Sequence, residues 1–225
     1  KIIAIGDLSQ EPAAQVIDAR GLYVTPGFID LHSHSDQEIL TDGLRQNLSY
    51  LHQGVTTVVT GNCGSGHVDV AAYFAKLEKH KAGTNVAHLV PHGALRELAM
   101  NGSFNRAPSD RDLAEMKRRL EEGLAAGASG MSTGLIYTPG SFAKTEEIIA
   151  LAAVVGASKG IYASHIRGEG DSLLDSIAEA IRIGKSARCR VQISHFKAVG
   201  PKNWGKVVKA AKMIEEARGA GIAVF

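Results

Sequence analysis

Cysteine is scarce. Only Cys63 and Cys189 occur in 225 residues, so there is no disulfide framework, and a reducing cytoplasm fits. No apolar run approaches the roughly 20 residues of a membrane span. No signal-peptide pattern is visible, although the chain opens at Lys1 rather than Met. Neither sign of charge is in excess: 25 basic against 23 acidic residues leave a formal net charge of +2. Without a basic stripe, nucleic acid is a poor partner. No Gly-rich dinucleotide loop follows the first apolar strand, which weighs against a doubly wound nucleotide fold.

What is present is ordinary globular composition, with 44% apolar and 21% charged residues, and length enough for one large domain. Short β-rich runs are expected at 27–32, 56–61, 86–90, 130–136, 161–165 and 191–195, with a last one starting at Ile222. Helices are expected at 42–53, 70–81, 110–126, 146–159, 172–188 and 204–220. Ser109 reads as an N-cap with Asp112 three residues on, and Thr145 as a second cap. Strands alternating with helices of this length argue for parallel βα units.

Polar residues cluster where strands end: His32 and His34, Cys63, His92, Tyr137, His165, His195. Barrel enzymes assemble their sites from several such tips. The architecture expected is therefore α/β, a TIM-like (β/α)8 barrel over residues 26–225, cut short after about strand seven. Residues 1–25 read as two or three short strands, the remnant of a small β-sandwich domain.

The stretch GFIDLHSHSD places two histidines two positions apart, on one face if the strand continues through them. His165 and His195 lie 30 residues apart, about one βα repeat, in the echoing contexts ASHIRG and ISHFKA. Asn62-Cys63-Gly64 follows the apolar run TTVVT in a glycine-rich turn. Imidazole nitrogen and thiolate sulfur suit Zn²⁺, so His32, His34, Cys63, His165 and His195 form a candidate metal set. Arg167 and Lys197 follow two of these residues by two positions. On shared strand parity they point over the metal, towards an anionic substrate group such as a carboxylate; the bland reading pairs them with acids such as Glu169. His88 reads as core, and Cys189 as structural.

With GLYVTPGFIDLHSHSD, GVTTVVTGNCGSG, PHGALR, STGLIYTPGSFAKTEEIIALA, YASHIRGEGDSLLDSIAEAIRIGK and VQISHFKAVGPKNWGK on the page, the sequence resembles the amidohydrolase superfamily, specifically its N-acyl-D-amino-acid deacylases (D-aminoacylases). The resemblance runs from Asp18 to about Lys206. It implies zinc-dependent hydrolysis of N-acyl-D-amino acids, with a tight zinc on Cys63, His165 and His195 and a weaker metal position at His32 and His34. It implies that Lys197 and Tyr137 touch the small-molecule substrate. It places the general-base aspartate on strand eight, beyond residue 225. The strand-four lysine of most amidohydrolases is absent from GMSTGLIY, and Cys63 takes its part. The alternatives are a cyclic amidase of the hydantoinase or dihydroorotase kind, and a catalytically incomplete metal-binding barrel fragment.

Overall fold

A computed structural model describes residues 2–225. Six parallel strands form one sheet: β1 (Phe28–Asp30), β2 (Val55–Thr60), β3 (Asn85–Pro91), β4 (Gly130–Gly134), β5 (Ile161–His165) and β6 (Arg190–Ile193). Their spatial order is their sequence order. A doubly wound sheet reverses its strand order at a switch point; this one never does, and the succession is that of half a barrel. Val191 also pairs in parallel with Val224, and Phe225 N donates to Val191 O at 2.9 Å. The start of a seventh strand expected at Ile222 is thus in place.

The connections are helical: α1 (Leu48–Leu51), α2 (Val70–His80), α3 (His92–Ala99), α4 (Asp110–Ala125), α5 (Thr145–Ala157), α6 (Leu173–Ala187) and α7 (Lys206–Gly219). The core lies between strands and helices, where Val90, Met131, Tyr162 and Val191 meet Met116, Leu120, Leu151 and Ile177, all fully buried. β4 is buried along its whole length, as expected of a strand covered on both faces.

Several expectations need correction. Residues 2–25 form no strand. Ile3, Ile5 and Tyr23 are each more than nine-tenths exposed, and without a neighbouring edge to pair with, a strand's backbone groups gain nothing over water. The helix expected at 42–53 shrinks to α1, because Asn47 takes the left-handed conformation (φ 54°) and turns its side chain to Thr84 Oγ1 at 3.1 Å. α3 lies where no helix is expected. Thr145 caps nothing: its hydroxyl donates to Glu179 Oε1 at 2.8 Å, and Lys144 holds the N-cap position. Ser109 and Asp112 do form the reciprocal capping box.

α3 is fixed by a buried ionic cluster. Arg96 Nε and His92 Nε2 both reach Glu147 Oε1 at 2.9 Å. The remaining Arg96 nitrogens donate to the Phe104 and Arg106 carbonyls. Burial pushes the Glu147 carboxyl up, but His92 and Arg96 outweigh it and hold it below the usual range. Removing one member leaves the others buried and uncompensated, which costs about 3–5 kcal/mol. Glu147→Ala should therefore lower the unfolding free energy by about that amount in urea titration. A loss under about 1 kcal/mol would show the cluster to be incidental.

Candidate metal centre

The first loop is shaped by its acids. β1 stops at Asp30, whose Oδ1 accepts from His32 N at 2.8 Å, a side-chain turn that competes with the ladder. The strand alternation expected to put His32 and His34 on one face therefore does not run through them. Asp36 turns inward instead, and its Oδ1 accepts from Gly61 N at 2.7 Å. The two aspartates position the histidines and the neighbouring turn rather than joining the ligand set. His32 and His34 still come together, ring centroids 5.1 Å apart.

The cysteine turn is held from below. Asn62 Nδ2 donates to Val59 O at 2.8 Å. Ser132, in β4, accepts from Gly64 N at 3.0 Å and donates to Gly61 O. Cys63 itself sits in the left-handed region (φ 54°, ψ 26°), which costs a residue with a Cβ and persists where the surroundings enforce it. Gly134 ends β4 because nothing larger fits: a Cβ there would stand 2.2 Å from Cys63 O.

His165 is the last residue of β5, and His195 follows β6 by two residues with φ 34°. That left-handed backbone ends the strand short of the expected 191–195. Two candidate ligands thus occupy the strained region, where functional constraints concentrate. Cys63 Sγ lies 3.4 Å from His32 Nε2, 3.4 Å from His165 Nδ1 and 3.8 Å from His195 Nε2. Zinc–sulfur and zinc–nitrogen bonds of about 2.3 and 2.0–2.1 Å give a tetrahedron with a sulfur–nitrogen edge of about 3.5 Å. The spacing fits. Two trios, His32–His34–Cys63 and Cys63–His165–His195, each bring their ligand atoms within 4.8 Å. Cys63 belongs to both.

Electrostatics agree with a cation site. Burial, then the charge of neighbouring imidazoles, pushes His32 and His165 down to about 4, so both rings are neutral at pH 7 and keep a lone pair for a metal. His32 Nδ1 and His165 Nε2 are buried without a hydrogen-bond partner. Burial and then Glu169 push the Cys63 thiol up to about 11. A divalent ion at the sulfur inverts that preference and deprotonates it. The residues therefore fit a borderline-soft cation such as Zn²⁺, with one thiolate and neutral imidazoles.

Sequence reasoning missed the role of Glu169. Its Oε1 accepts from Lys197 Nζ at 2.5 Å and stands 2.8 Å from His195 Nδ1. Glu169 and Lys197 both stand against His195 Nδ1, and the ring's Nε2 is the nitrogen that faces Cys63. Glu169 is net depressed: burial raises it, and Lys197 and the two histidines more than offset that. Its signal was only its spacing, four residues after His165.

Lys197 is half-exposed beside His195, 3.1 Å from its Nδ1. Tyr137 packs edge-on to His165, centroids 4.6 Å apart. Arg167 does not meet the expectation of a free cation over the metal. It is committed to Glu179 at 2.9 and 3.0 Å and to the Ser141 and Ala143 carbonyls, so four of its five N–H groups are used. The bland reading, pairing with an acid, holds for both cations. His92 faces Glu147, as described above, and His88 is core, between Thr60 Oγ1 and His67 O at 2.8 Å each.

Cys63→Ala should remove tight zinc from the protein, read by elemental analysis after dialysis; unchanged stoichiometry would exclude the sulfur as a ligand. Glu169→Ala should weaken zinc binding by about ten- to hundredfold, the usual effect of losing a carboxylate behind a ligating histidine. Competition with a chromogenic chelator measures it, and an unchanged affinity would contradict the orienting role.

Comparison with known proteins finds relatives along the whole chain. The model of the amidohydrolase family matches residues 15–223. An N-acyl-D-glutamate deacylase of Alcaligenes xylosoxydans xylosoxydans is 40% identical over the whole chain and half of its own length. The crystal structure of N-acyl-D-glutamate deacylase from Bordetella bronchiseptica, with zinc and a phosphonate mimic of the tetrahedral intermediate, superposes with a TM-score of 0.92 at 37% identity. It covers 98% of this chain and 51% of that one. A D-aminoacylase structure, described for its binuclear metal centre, gives 0.92 at 34%, over 99% and 51%. The chain thus spans about half the length of these relatives. It belongs to the amidohydrolase family, and the members it resembles here are deacylases of N-acyl-D-amino acids.

Proposed function

We propose that the protein carrying this chain is a zinc-dependent deacylase that cleaves N-acyl-D-amino acids into a carboxylate and a free D-amino acid. The observation that carries the reading is one cluster: Cys63, His165 and His195 converge, with the half-exposed ammonium of Lys197 3.1 Å from His195. Cys63, His165 and His195 would hold the tight zinc, and His32 and His34 a second, weaker ion. Bound zinc polarises an amide carbonyl and lowers the pKa of water towards about 7.

The other roles fall to side chains. Lys197 receives the substrate's free carboxylate. Two of its three N–H groups meet Glu169 and His195 Nδ1, which leaves one donor for an incoming anion at a fixed height beside the metal. Tyr137, over His165, lines the way in and contacts the substrate. Arg167 supports it indirectly by holding the carbonyls of residues 141 and 143. Holding the carboxylate on one side of the reacting carbonyl selects one configuration at Cα. The general base is an aspartate beyond residue 225.

The proposed frame is a (β/α)8 barrel that takes in residues 26–225. Two free cysteines favour the cytoplasm. A cyclic amidase ranks lower, because β4 ends in Gly134 against Cys63 O and has no bridging lysine.

The complete protein should hydrolyse N-acetyl-D-methionine and spare the L form. Equal rates on both, or hydrolysis of neither with zinc bound, would refute the assignment. Lys197→Ala should raise KM about ten- to hundredfold, the worth of about 1.5–3 kcal/mol for a hydrogen bond to a charged group. An unchanged KM would remove Lys197 from the substrate's carboxylate.

A further inference from the structure

A cavity of about 480 Å³ opens beside Cys63, on the side of β2, β3 and β4. Its floor is bare backbone. Gly93, in the first turn of α3, abuts the cysteine turn, and a Cβ there would stand 2.6 Å from Gly64 O. Glu97, also on the wall, lies four residues further on. It is therefore on the same helix face one turn up, about 6 Å along the axis. No lysine or arginine lines the cavity, and among the described residues Glu97 has no ion-pair partner; its neighbour Arg96 is spent on Glu147.

We propose that this cavity receives the acyl half of the substrate, and that Glu97 makes it accept neutral or cationic acyl groups and reject anionic ones. The inference rests on the deacylase reading. Lys197 follows β6, whereas the cavity lies over the tips of β2 to β4, with Cys63 between them. A carbonyl placed at Cys63 with its carboxylate on Lys197 directs its acyl chain away from β6, into the cavity. The space far exceeds one methyl group, so chains of several atoms fit. A carboxylate about four atoms beyond the reacting carbonyl would arrive at the level of Glu97, a like charge placed against it. An ammonium at the same position would meet an opposite charge.

The test is kcat/KM of the complete zinc-loaded protein on three D-methionine derivatives of similar length: N-butyryl, N-succinyl and N-(4-aminobutyryl). We expect the succinyl compound at least about tenfold below the butyryl one, and the aminobutyryl compound at or above it, for one like or unlike charge pair in a partly solvated site. Glu97→Gln should narrow the succinyl deficit, and Glu97→Lys should reverse the order; the isosteric Gln variant decides if the Lys variant does not fold. A wild-type protein that cleaves succinyl as readily as butyryl, or a ratio unmoved in both variants, overturns the role of Glu97 while leaving the deacylase reading intact. No cleavage of any D-compound overturns both.

Discussion

Cys63 Sγ stands within 3.8 Å of ring nitrogens from three other segments of the chain: the loop after β1, the end of β5 and the residues after β6. The rest of the structure answers to this convergence. β1 and β6 are the two ends of a six-stranded sheet. At about 4.8 Å per strand, a flat sheet would hold them about 24 Å apart. Yet the rings of His32 and His195 have centroids 4.9 Å apart. Only a sheet curled towards closure lets them meet, so the ligand contacts and the half-barrel curvature are one fact seen at two scales.

The local chemistry follows from holding that convergence without a charge to reward it. Two of the candidate ligands sit in left-handed backbone, two histidines, one buried and one half-buried, are held neutral, and a thiol is kept protonated by burial. Each is unfavourable alone, and a divalent cation would relieve the electrostatic ones together. The supports are polar contacts from outside the ligand set: Asp36 on Gly61, Ser132 under the cysteine turn, Glu169 behind His195. Glu169 would join the proposed metal and substrate sites, because the oxygen that stands 2.8 Å from His195 Nδ1 also accepts from Lys197.

Much of this was legible in the sequence. Five candidate ligands stand out because imidazole and thiol recur at strand ends, and the strand–helix alternation locates the strands to within a few residues. What escaped was conformation at single residues. Strand alternation could not reveal that Asp30 would end β1 with its own side chain, or that His195 would leave β6 in a left-handed turn. Arg167 shares strand parity with a ligand, but parity is silent about Glu179, which comes from α6 and takes the guanidinium first. α3 is absent from the expected helices because it is short and carries a glycine in its first turn, although Leu95 and Ala99 repeat at helical spacing and are both buried. Residues 1–25 have strand-like composition, and composition alone does not supply an edge to pair with.

The central claim is that one sulfur and two imidazole nitrogens share an ion. X-ray absorption at the zinc edge of the complete protein measures that directly. The account predicts one sulfur at about 2.3 Å together with nitrogen scatterers at about 2.0–2.1 Å. A first shell of nitrogen and oxygen alone, with no sulfur, would contradict it.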